Sequence, residues 1–97
     1  MKIDAIMLKK NDNVATALRN INKSERVVIN IGQEKREFQI KDFIQFGHKF
    51  ALKDILIGEH IIKYGEIIGR ATQNIAGGTH AHIHNIESLR GRGDLES

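Results

Sequence analysis

The 97-residue chain has no cysteine, no proline and no tryptophan, and its aromatics are one tyrosine and four phenylalanines. Without cysteine there is no disulfide framework and no thiolate nucleophile, so stability has to come from packing or from a partner. The same absence fits a reducing compartment, and the expected location is the cytoplasm. Without proline, the tight turns fall to the nine glycines. No apolar run approaches the roughly 20 residues of a membrane span, and Asp4 interrupts the N-terminus before a signal-type apolar stretch can develop. No membrane association is expected. The formal charge is +3, but basic residues alternate with acids, as in GQEKREFQIKD. With so few aromatics for base stacking, a nucleic-acid partner is not expected either. The chain also lacks a Gly-x-Ser-x-Gly elbow, a phosphate loop and a dinucleotide fingerprint. Arg92-Gly93-Asp94 is taken as a chance tripeptide.

What is present reads as one small, mainly β domain. Residues 2–8 are apolar enough for a first strand. In 12–21, Val14, Ala17, Leu18 and Ile21 recur at helical spacing behind Asp12 or Asn13 as a cap, which predicts one short helix. Residues 26–40 predict a hairpin turning at Gly32-Gln33-Glu34, with Phe38 and Ile40 on one face. After Ile44, short apolar pieces alternate with glycines at 47, 58, 65, 69, 77 and 78, as in a compact β module. No piece recurs at a fixed period. The domain is expected over residues 1–86. The tail 87–97, with few apolar residues and two glycines, is expected to be a flexible C-terminal arm.

The chemistry concentrates in GGTHAHIHN, residues 77–85. His80, His82 and His84 occupy alternate positions, which share a face on a strand. Steps of two residues span about 6.6–6.8 Å, so neighbours converge on one ion more easily than the outer pair, about 13 Å apart on a straight strand. A metal site would hold His80 with His82, or His82 with His84, plus ligands from elsewhere. Neutral imidazoles suit iron, zinc, manganese or copper. The competing reading is a polar face that binds nothing. Gly47-His48-Lys49 offers a second imidazole and a cation at a turn. Lys63 and Tyr64 precede Gly65, and NIAGG before the histidines is a structural turn.

The order Gly-His-Lys-x-Ala-Leu-x-Asp (47–54), Gly-Glu (58–59), Lys-Tyr-Gly (63–65) and Gly-x-His-x-His-x-His-Asn (78–85), with DNVATAL (12–18) near the start, resembles the SAF-type domain of altronate and galactarate dehydratases. The resemblance implies a β-clip, antifreeze-like fold. It implies the small subunit of a metal-dependent sugar-acid hydro-lyase that eliminates water to give a 2-keto-3-deoxy acid. It also implies a separate large catalytic subunit and a divalent metal, iron or manganese. The isolated chain is expected to be inactive. The expected assignments are His80 and His82 to metal, His48 and His84 to catalysis, and Lys49, Lys63, Tyr64 and Asn85 to substrate. A sister small subunit, that of sulfolactate sulfo-lyase, carries similar motifs. A non-enzymatic module binding a metal or a small acid is the remaining alternative.

Overall fold

The computed structural model describes residues 2–89. Nine strands make up its regular structure: β1 (Ala5–Met7), β2 (Val14–Ala17), β3 (Arg26–Ile31), β4 (Glu34–Gln39), β5 (Lys49–Ala51), β6 (His60–Lys63), β7 (Glu66–Ala71), β8 (His80–Ala81) and β9 (Ile86–Ser88). One sheet runs β4-β3-β1-β2-β5-β8 and the other β6-β7-β9. β1 pairs parallel to β3, while the other pairings are antiparallel. A larger core gathers Met7, Ile29, Ile40 and Phe50, and a smaller one Val14, Ala51, Ile61 and Ala81. The mainly β, clip-like architecture expected from the sequence is present.

The helix expected over 12–21 is absent. Residues 14–17 form β2, the strand between β1 and β5, with Ala5 opposite Ala17 and Val14 opposite Ala51. Val14, Ala15 and Ala17 are all buried because a central strand is covered on both faces. Two-sided burial erases the alternation of a strand, and the surviving spacing imitates a helix. The presumed caps serve another partner. Asn13 accepts from Ile62 N–H at 2.8 Å and donates to the His60 carbonyl at 2.9 Å. Asp12 accepts from Tyr64 and Gly65 N–H at 2.9 and 2.7 Å. Both staple the β6–β7 hairpin to β2.

The expected hairpin is β3–β4, closed by Gly32 and Gln33, with Val27 opposite Phe38. Glu87 and Ser88, the first residues of the expected arm, belong to β9, and Glu87 pairs with Arg70 at 2.8 Å. The rest of that arm, from residue 90, lies outside the described residues.

An internal regularity organises the turns. Segments 17–27, 40–50, 51–61 and 71–81 share a pattern. The fifth residue is a buried isoleucine (Ile21, Ile44, Ile55, Ile75), the eighth has positive φ (Ser24, Gly47, Gly58, Gly78), and the eleventh is buried (Val27, Phe50, Ile61, Ala81). The segments pair through Ile21↔Ile44 and Ile55↔Ile75 bridges. Within each pair the eighth residue donates to the first residue's carbonyl: Ser24 to Ile40, Gly47 to Ala17, Gly58 to Ala71 and Gly78 to Ala51. The histidines stand at the ends of these segments, so this scaffold positions the site.

Candidate functional site

β5 pairs with β8 so that Phe50 opposes His80 and Lys49 opposes Ala81. Continuing that register by one residue sets His48 opposite His82. Directly opposed residues share a face, and the two rings stack at 3.9 Å between centroids and 12° between planes. His48 Nδ1 lies 2.9 Å from His80 Nε2. His48, His80 and His82 each offer one ring nitrogen, and these atoms all lie within 4.8 Å of one another. His84 is exposed and less aligned, with its ring 5.0 Å from that of His80 and tilted by 32°.

The row of histidines is not a straight strand. β8 ends at Ala81, and residues 82–85 form a turn. Asn85 fixes that turn. Its Oδ1 accepts from His82 N–H and its Nδ2 donates to the His80 carbonyl, each at 2.9 Å. The buried Asn85, expected as a substrate contact, thus spends both ends of its amide on backbone. On the other side, the Asp42 carboxylate accepts from His80 N–H at 3.2 Å. His48 is held by its own turn, its N–H donating to the Gln45 carbonyl and its carbonyl accepting from Ala17 N–H, each at 2.9 Å.

Of the imidazoles, His82 lines a cavity of about 400 Å³ shared with Lys49, Lys63, Tyr64, Glu66 and Ile83, among others. Three expected substrate contacts, Lys49, Lys63 and Tyr64, therefore meet beside His82. The Lys63 ammonium lies 4.8 Å from the Tyr64 ring centroid. Burial, and then the Lys63 charge, pulls the Lys49 ammonium below the usual lysine range. Burial is also the first cause lowering His82, followed by the charges of His48, Lys49 and His84. His80 is lowered by burial and by His84, His48 and His82, against a raising effect from Asp42. Both rings therefore favour the neutral form, the form that ligates metals. His82 Nδ1 is buried without a hydrogen-bond partner among the described residues.

The sequence reading paired His80 with His82 as ligands and kept His48 for catalysis. The geometry puts His48 in the same donor group and leaves His84 at its edge. Asp12, Asn13 and Asp42 were missed as positioning residues. An Asx pair before an apolar run was the available signal, but it reads equally well as a helix cap.

In this small β-clip the paired turns bring three imidazoles together beside a cavity lined by Lys49, Lys63 and Tyr64. The chain belongs to the altronate/galactarate dehydratase SAF domain family, whose sequence profile matches residues 3–89. It is 42% identical over 83 residues to altronate dehydratase of Bacillus subtilis, covering 86% of this chain and 16% of that protein. It is 40% identical over 77 residues to altronate dehydratase of Escherichia coli, covering 79% of this chain and 15% of the relative. It is also 44% identical over 54 residues to the (2R)-sulfolactate sulfo-lyase subunit alpha of Chromohalobacter salexigens, covering 56% of this chain and 57% of that subunit. The chain thus spans about one sixth of the altronate dehydratases it matches.

Proposed function

We propose that the chain is the small subunit of a metal-dependent sugar-acid hydro-lyase of the altronate dehydratase type, active only with a large catalytic chain and working in the cytoplasm. The observation that carries this reading is the meeting of His48, His80 and His82 beside the Lys49–Lys63 cavity. Eliminating water from a sugar acid requires removal of the proton α to the carboxylate and expulsion of the β-hydroxyl. The product is a 2-keto-3-deoxy acid. Lys49 and Lys63 bind and orient the carboxylate as cations. Tyr64 offers a hydroxyl at the same rim. His84, exposed beside His80, is suited to move a proton on and off a ring nitrogen. Asp12 and Asn85 keep the two loops in register.

The residues fit a divalent ion. Two of the donors, His80 and His82, are imidazoles that favour the neutral form, and one buried nitrogen, His82 Nδ1, lacks a hydrogen bond among the described residues. His48, His80 and His82 would hold the ion. Imidazole donors suit iron better than manganese, which prefers oxygen ligands. When bound, the ion supplies Lewis acidity toward carboxylate and hydroxyl oxygens. Every other contribution is the chain's own binding, orientation and proton transfer.

A second reading has a specific support, the similarity to a sulfolactate sulfo-lyase subunit. The same α-proton removal with sulfite as leaving group would use the same wall. Co-purification with the catalytic chain, then assays on altronate, galactarate and sulfolactate, tests both. The expected result is a stable complex that dehydrates a sugar acid, with neither chain active alone. Sulfite release alone would favour the second reading, and no complex would contradict both. The remaining alternative, a module that binds a metal or a small acid without catalysis, predicts binding and no turnover of any acid.

A further inference from the structure

The sequence pattern alone leaves a histidine pair that borrows its other ligands from elsewhere. The geometry points to a different arrangement: His48, His80 and His82 form a three-histidine site for a divalent transition-metal ion that is complete within this chain and fills without the catalytic chain. The inference deepens the reading above and rests on it for the purpose of the site, though not for its ligands.

Three observations support it. First, the donors come from two segments that the fold locks together. β5 pairs with β8, Asn85 clips the 82–85 turn, and Asp42 holds the His80 backbone. Little ordering is therefore left for metal binding to impose. Second, the spacing suits a shared ion. Adjacent nitrogens bonded to one ion at about 2.1 Å each, at right angles, lie about 3 Å apart. His48 Nδ1 and His80 Nε2 lie 2.9 Å apart. All the donor nitrogens of the group lie within 4.8 Å of one another. Third, the cluster contains a polar atom without a role. His82 Nδ1 is buried with no hydrogen-bond partner among the described residues, and leaving such an atom unsatisfied costs free energy that a metal bond or a tautomer change would recover. His84 is excluded by its exposure and tilt. His60 is excluded by its place on β6, in the other sheet. Three protein ligands leave further coordination positions open, as catalytic metal sites do.

The test uses the tag-free 97-residue chain without its partner. Cobalt(II) is titrated while visible absorption and heat are recorded, and anaerobic iron(II) is titrated by calorimetry. One equivalent should bind. His48→Ala, His80→Ala and His82→Ala should each weaken binding by more than the roughly 10–100-fold that changes outside the ligand set cost. His84→Ala and His60→Ala should retain one equivalent. If an alanine variant fails to fold, paramagnetic shifts in the wild-type chain decide instead, and they should centre on residues 48, 80 and 82. No binding by the wild-type chain, unchanged binding by folded His48→Ala, or loss of binding in His84→Ala would overturn the inference. Metal binding without lyase activity in the complex would sink the functional reading and leave this site standing. Activity with a metal held only by the catalytic chain would do the reverse.

Discussion

Asn85 shows how one side chain organises the turn beneath the imidazoles. Both ends of its amide are spent on the backbone of His80 and His82. Asn85→Ala would remove two hydrogen bonds from a buried position, a loss of about 2 kcal/mol. Urea denaturation should register that loss, and cobalt(II) affinity should fall with it because the turn no longer presents His82. A stable variant with unchanged affinity would deny Asn85 this role. Arg19 ties another turn, donating to Asp4 at 2.9 Å and pairing with Glu25 at 3.0 Å. The hydrogen bond from Arg19, and then that from the Asn22 N–H, holds the Glu25 carboxyl below the usual carboxylate range. A carboxyl depressed on folding adds stability above its unfolded pKa of about 4.3 and loses it as pH falls through the lower folded value. Wild-type unfolding curves should therefore weaken with acid in that window, and Arg19→Ala should flatten this part of the slope. The pair is partly exposed, so its contribution should stay under about 1 kcal/mol. At this scale the alternating histidines were legible because motif and spacing are local. The approach of His48 to His80 needs the β5–β8 pairing across 32 residues, and no local pattern reports that. The backbone role of Asn85 was hidden for a related reason: the sequence shows an amide but not its hydrogen-bond partners.

The recurrent turn is the element that carries the fold. Its eighth position requires positive φ, and three of the four copies supply glycine there. The exception is Ser24 at φ 74°. An L-residue in the left-handed region costs roughly 1–2 kcal/mol, partly offset by the greater chain entropy of glycine when unfolded. Ser24→Gly should stabilise the chain by about 0.5–1 kcal/mol. Gly58→Ala should destabilise it by about 1 kcal/mol, because an added Cβ there meets nothing within 4 Å and only the backbone conformation resists. Gly69→Ala should cost more for a different reason. Its Cβ would come within 2.6 Å of the Glu87 carbonyl oxygen, where β7 and β9 pair. Thermal melts of the three variants check this ranking, and a stabilised Gly58→Ala would contradict the strain argument. The β character was visible in β-branched runs and glycine-bearing turns. The repeat was not, because its copies begin at 17, 40, 51 and 71 and so keep no fixed period. β2 was hidden because burial on both faces removed its alternation.

At the scale of the molecule, the two sheets set a group of imidazoles beside Lys49 and Lys63, neither of which is in an ion pair among the described residues. Ile83, 84% exposed, stands at the lip of the cavity. The parallel β1–β3 pairing and the division into two cores lay beyond sequence reading because they join segments far apart in the chain. The glycine-bearing turns gave the β class and the family pattern made it a β-clip, while the helix expected over 12–21 stood beside both until the structure replaced it with β2. The central claim is that this chain forms a working wall of a lyase active site, and the most direct test is turnover by the reconstituted complex carrying His82→Ala. Complex formation and chain stability should be preserved while turnover falls by about 100-fold or more, equivalent to about 2.7 kcal/mol of transition-state stabilisation. Full turnover with unchanged metal content would show that the histidine cluster lies outside the active site.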